Sequence, residues 1–139
     1  MIKNDIGYFS ASMGIYPRTL YIVKGDNDKC IKDNFKARDD NELIKDKFEE
    51  TDGSRTWSVI EKGTGKFGFL VQLKNLDYYK DISHEAVHVA FETFRDIGGI
   101  ADEDNQEPFA YLVGWATKQL YNALNYKKHK TKIYEQKNK

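Results

Sequence analysis

The segment from Ser83 to Ile97 constrains this chain more than any other. Val87, Ala90, Phe91, Phe94 and Ile97 recur at the spacing of one helical face, and Ala86 and Val89 extend the apolar surface around much of the first two turns. A helix that is apolar over so much of its circumference is stable only when other elements cover it, so the rest of the chain is expected to pack around this one. Asp81 or Ser83 can cap its start, and Gly98-Gly99 supplies the stop.

The elements available for packing can be read on either side. Arg18 to Val23 is β-branched and aromatic and ends at the turn formers Lys24 to Asp28, which predicts a first strand. From Lys29 to Glu50, Cys30, Ile31 and Phe35 and then Leu43, Ile44 and Phe48 recur at helical spacings, with Asp39 and Glu42 placed as a capping box, so one or two amphipathic helices are expected. Thr56–Ile60 and Phe67–Leu73 read as the arms of a β-hairpin across Lys62 to Lys66. Phe67, Phe69, Val71 and Leu73 alternate with smaller or polar residues except at Leu70, which predicts one core face and one partly exposed face. A second long helix is expected from Pro108 to about Asn125, with Phe109, Leu112, Val113, Ala116, Leu120 and Leu124 apolar. The expected fold is therefore α+β, a small antiparallel or mixed sheet packed on a central helix and on the helix that follows it.

A chain of 139 residues supports one core, so residues 1–125 are expected to form a single domain and residues 126–139 a basic, core-poor tail. Lys plus Arg and Asp plus Glu both total 22, so no global field favours nucleic acid or an anionic membrane. The single Cys30 cannot form an internal disulfide. No stretch has the form of a signal peptide or the length and apolarity of a membrane span, and a cytoplasmic location is the expectation.

The central helix carries His84-Glu85-Ala86-Val87-His88. Histidines four apart on a helix share a face, one turn above the other, and both imidazoles can reach one metal ion, for which zinc is suited. The glutamate directly after the first histidine falls beside the metal, where it can take a proton from an attacking water. With three histidines and nine glutamates, random order gives this spacing in roughly 0.3% of such chains, so accident is a weak competitor. The competing structural reading is a pair of helix-face histidines satisfied by hydrogen bonds.

A catalytic zinc usually takes three protein ligands and leaves one position open. His129 lies in the lysine-rich tail and reads as solvated, which directs the search to a carboxylate. Glu107 is the favoured candidate, because a helix returning after the Gly98–Gln106 loop brings its first turn back toward the histidines. Asp102, Glu103 and Asp104 compete with it, and one of them or Asn105 could instead accept the outer ring N–H of a histidine. Tyr111, one turn after Glu107, is either an oxyanion donor or a packing tyrosine. Glu92 and Asp96 read as solvated.

Ile82 to Phe91, followed by Asp96-Ile-Gly-Gly-Ile and Asp104 to Leu112, resembles small metallopeptidases of the zincin class, including members encoded by bacteriophages and prophages. The resemblance covers residues 79–120. It is similar to the glutamate-zincin arrangement of thermolysin-like enzymes and implies His84, His88 and Glu107 as zinc ligands and Glu85 as general base. It also implies a minimal zincin fold, with the Phe67–Leu73 strand as an edge for strand addition by an extended peptide, and a host-cytoplasmic location if the chain is phage-encoded. The expected function is zinc-dependent hydrolysis of a peptide bond in a protein or peptide substrate. The rival expectations are a non-catalytic, zinc-stabilised, phage-associated binding or assembly protein, and a regulatory module that docks one partner through its basic tail.

Overall fold

The structure is a computed structural model that describes residues 3–4, 7–38, 53–74 and 79–126. The Asp39–Glu42 capping box, the apolar set Leu43, Ile44 and Phe48, His129 and the tail beyond Tyr126 lie outside the described residues. Nine elements follow one another: β1 (Lys3–Asn4), β2 (Phe9–Ser12), β3 (Thr19–Lys24), α1 (Asp28–Asn34), β4 (Phe35–Ala37), β5 (Arg55–Glu61), β6 (Phe67–Leu73), α2 (Tyr79–Ile97) and α3 (Glu107–Leu124). The fold is α+β.

Six strands form one mixed sheet in the order β1-β2-β3-β6-β5-β4, parallel only between β3 and β6. Those two central strands carry the apolar runs Leu-Tyr-Ile-Val and Phe-Leu-Val, as strands covered on both faces do. Leu20, Ile22, Phe69, Val71 and Leu73 share one cluster with α2 and α3. Tyr21, Val23 and Leu70 share the other with Cys30 and Ile31 of α1 and with Tyr8, Phe35 and Val59.

This arrangement corrects two expectations for Phe67–Leu73. The face expected to be partly exposed is covered by α1 and its aromatic neighbours, and Leu70, the residue that broke the alternation, is fully buried there. The strand is also not an edge: β3 and β5 hydrogen-bond to its two sides, so no side is open to an added peptide strand.

Gly68 is what lets β3 and β6 approach at this point. A Cβ at Gly68 would stand 2.1 Å from the Thr19 carbonyl oxygen and 2.8 Å from the Tyr21 ring, so only glycine fits beneath the aromatic side chain.

The helix expected to begin at Lys29 does form, with the Asn27 side chain accepting from the Cys30 amide as its cap, but it stops at Asn34. Phe35 turns to an extended conformation, its ring packs on Tyr8 and Tyr21 at centroid distances of 4.8 and 4.9 Å, and Lys36 and Ala37 pair with Ile60 and Val59. Burial of the aromatic ring and strand pairing override a helical spacing that depended on Phe35. The strands at Lys3–Asn4 and Phe9–Ser12 had no counterpart in the sequence reading, because four or fewer residues do not reveal an alternation.

α2 begins at Tyr79, a turn earlier than expected, so Asp81 lies inside its first turn, where a negative charge is favoured by the helix dipole. It ends as expected: Gly98 adopts φ 73° and the Gly99 amide donates to the Phe94 carbonyl at 2.8 Å. α3 begins with Pro108 in its first turn and ends at Leu124, also as expected. Asp96, at the end of α2, meets Arg18 just before β3, whereas the carbonyl of Leu124, at the end of α3, meets Lys24 at the end of β3. The two helices therefore run antiparallel over the sheet. Tyr126, where the basic tail was expected to start, packs edge-to-face on Phe9 at 5.4 Å.

Gly68→Ala is expected to destabilise the fold by about 1–3 kcal/mol in urea unfolding. Gly63→Ala, at a position with no heavy atom within 4 Å of the added methyl, is the control and should leave the midpoint nearly unchanged.

Candidate functional site

The rotation of α2 about its own axis decides what its motif can do, and β5 sets that rotation. Ser54, just before β5, and Thr56 and Ser58 within it are alternate residues and so project from one face of the strand. Each hydroxyl donates to a carboxylate on α2: Ser54 to Asp81 at 3.4 Å, Thr56 to Glu85 at 3.2 Å and Ser58 to Glu92 at 3.2 Å. At the C-terminal end of the helix, Asp96 pairs with Arg18 at 2.9 Å and Arg38 at 2.5 Å, and both guanidinium groups lie over the Phe67 ring. Ile82, Ala86, Val89, Ala90 and Phe94 then face the core, and His84 and His88 face solvent.

The histidine rings stand 4.9 Å apart between centroids, with their Nε2 atoms 3.2 Å apart. Two imidazole nitrogens on one tetrahedral zinc, each at 2.0–2.1 Å, stand about 3.3 Å apart. The pair is thus already spaced for a shared ion, a separation that an N–H···N hydrogen bond between the rings also satisfies. A Glu85 carboxylate oxygen completes a group whose three ligand atoms all lie within 4.8 Å of one another, the one potential metal-holding group among the described residues.

Glu85 differs from the histidines in being only 2% exposed. Burial is the main cause that raises its pKa from 4.5 to about 7; the Thr56 hydroxyl opposes the rise and the nearby negative charge of Asp81 adds to it. A buried carboxyl poised near neutrality, beside two exposed imidazoles, has the protonation behaviour of a general base. A shallow pocket of about 390 Å³ opens onto it, lined by Gly53, Ser54, Asp81, His84 and Glu85.

The other candidates stand apart from this group. Glu107 is the exposed first residue of α3 and is not among the three clustered residues. The first turn of α3 is nevertheless close to the motif helix, since Phe109 packs on Phe91 and Phe94 at 4.6 and 5.4 Å. Tyr111 is 76% exposed, so it is not the packing tyrosine that one reading expected. Asp102, Glu103 and Asp104 are exposed, and their loop is held by local bonds, among them the Asp104 amide to Asp102 and the Gln106 side chain to the Glu103 carbonyl.

Two residues read as solvated are not. The Asp96 side chain is 9% exposed between its two arginines, which hold its carboxyl below the usual value against the opposing effect of burial. Glu92 receives Ser58 and pairs with Arg95 at 3.3 Å. Ser54, Thr56, Ser58 and the place of Asp81 in the pocket are not among the residues expected from the sequence. The available signal was a hydroxyl at every second position of a strand, facing Asp81, Glu85 and Glu92 along one side of a helix.

No family model matches the chain, and no curated protein or solved structure matches it.

An unfolded glutamate ionises near 4.5, whereas buried Glu85 keeps its proton to about pH 7. Between these values the folded, metal-free protein binds more protons than the unfolded chain, so its stability falls as pH rises. Urea unfolding in the presence of a chelator should show a loss of up to about 3 kcal/mol across this window. Glu85→Gln should flatten that slope, and an equally steep fall in the variant would contradict the assignment.

Proposed function

We propose that the chain is a zinc-dependent metallopeptidase with a minimal zincin-like fold, in which His84 and His88 hold the metal and Glu85 is the general base. The observation that carries this reading is the 3.2 Å separation of the two Nε2 atoms with a buried carboxyl behind them. Purely structural histidines do not need a neighbouring carboxyl desolvated to near-neutral pKa, and desolvating it opposes folding. The mixed sheet beneath the motif helix and the antiparallel helix that follows it also support a zincin-like reading.

Zinc held by this pair supplies Lewis-acid activation of water and of an amide carbonyl. The chain's own contribution is proton handling and positioning. Thr56 takes up one carboxylate oxygen of Glu85 at 3.2 Å, which fixes the plane of the carboxylate and leaves the other oxygen to accept a proton from the attacking water. Glu85 then returns that proton to the departing amine nitrogen. The exposure of His84 and His88 leaves their side of the helix open to an extended peptide.

Glu107 is proposed as the third ligand because it begins the turn of α3 that packs on Phe91, three residues beyond His88. Tyr111, exposed one turn later, is proposed as the oxyanion donor. A cytoplasmic location, and a phage or prophage origin, belong to this same proposal. Among the described residues no helix is long and apolar enough to cross a membrane.

Purified wild-type protein should bind one zinc per chain by elemental analysis, and His88→Ala should lose it. Glu85→Gln should retain zinc and the fold while lowering peptide cleavage by about 10²–10⁴-fold; full activity in that variant would remove Glu85 from the mechanism. Zinc retained by the wild type with no cleavage of any peptide would favour the non-catalytic binding or assembly protein. Glu107→Gln should weaken zinc binding by roughly tenfold or more in a chelator competition, and unchanged affinity would exclude Glu107 as a ligand.

A further inference from the structure

The pocket beside the motif has a charge pattern that the proposed chemistry does not use. Among the described residues that line it, two are carboxylic acids, Asp81 and Glu85. Glu85 is assigned to proton transfer, but Asp81 lies outside the three-residue group whose atoms could share an ion. Among the described residues the Asp81 carboxylate accepts the Ser54 hydroxyl alone, at a long 3.4 Å, and no lysine or arginine pairs with it. The other carboxylates on this side of α2 beyond Glu85 both have basic partners, Glu92 with Arg95 beside Ser58 and Asp96 with Arg18 and Arg38.

The surroundings keep Asp81 available. Gly53 has no side chain to cover it, and a Cβ there would stand 4.0 Å from an Asp81 carboxylate oxygen. Glu85, more than nine-tenths buried, also lines the pocket, and among the described residues Thr56 donates to one of its oxygens and none to the other. A neutral or acidic occupant would leave the Asp81 charge unmatched in this partly enclosed space. A cationic side chain would satisfy it with a charge-assisted hydrogen bond. The far end of the histidine face is different in kind: Phe91, 49% exposed and stacked on Phe109, offers an apolar surface.

We propose that the pocket formed by Gly53, Ser54 and Asp81 is the specificity subsite of the cleft and receives a lysine or arginine side chain of the peptide substrate, with Asp81 as its counter-charge. This inference rests on the metallopeptidase reading. It adds the substrate class that the motif alone does not specify.

The test uses the zinc-loaded full chain and a positional-scanning library of internally quenched peptides, with each cleaved bond located by mass spectrometry. Peptides with Lys or Arg at one fixed position relative to the cleaved bond should be cut about tenfold faster or more than those with Leu or Glu there. Asp81→Asn should bring that ratio close to one, and Asp81→Lys should invert it in favour of Glu. The wild-type profile decides the preference even if a variant fails to fold. Cleavage without a basic preference, or a preference that survives Asp81→Asn, overturns this inference and leaves the metallopeptidase reading intact. Failure of the zinc-loaded wild type to cleave any peptide overturns both.

Discussion

Three hydroxyl-to-carboxylate bonds, from β5 and from Ser54 just before it, reach α2 and fix the orientation on which the site depends. A helix with apolar residues around much of its circumference has several nearly equivalent ways to bury itself, and hydrophobic contact alone discriminates poorly among them. Ser54, Thr56 and Ser58 discriminate because each must find its acceptor, Asp81, Glu85 or Glu92, on one narrow side of α2. Asp96, between Arg18 and Arg38, holds the other end of the same helix. Turning α2 away from this orientation would strand four carboxylates against the sheet and carry His84 and His88 out of their solvent-facing position.

The same packing produces the asymmetry within the motif. His84 and His88 are on the solvent-facing side, while Glu85 is drawn into the seam between α2 and β5. Burial raises the affinity of Glu85 for a proton and Thr56 limits the rise, so the carboxyl comes to rest near neutrality. Above the ordinary glutamate pKa the fold gives up stability at this position, as a desolvated carboxyl does. The apolar cluster beneath runs from Leu20 and Ile22 through Phe69 and Val71 to Ala86, Ala116 and Leu120.

Long periodic segments were legible in the sequence. The stop at Gly98, the start at Pro108 and the Phe67–Leu73 strand were read from residues whose preferences are local and strong. What escaped was decided by tertiary contacts. Phe35 left its helical register because its ring is buried between Tyr8 and Tyr21. Leu70 looked like an irregularity until α1 covered its face, and Asp96 looked solvated because its two arginines are distant in sequence, at positions 18 and 38. At the site, His84, Glu85 and His88 were visible because helical spacing alone brings them together. The hydroxyls of β5 were not, since a strand and a helix some thirty residues apart share no local pattern.

In the proposed site His84 and His88 share one zinc ion whose remaining positions are held by oxygen, one of them open to water. X-ray absorption at the zinc edge of the fully loaded protein tests it directly. The expected spectrum shows two imidazoles at about 2.0–2.1 Å with oxygen neighbours completing the shell, and loses one imidazole in His88→Ala. A spectrum without imidazole scattering, or one unchanged by His88→Ala, would contradict the claim.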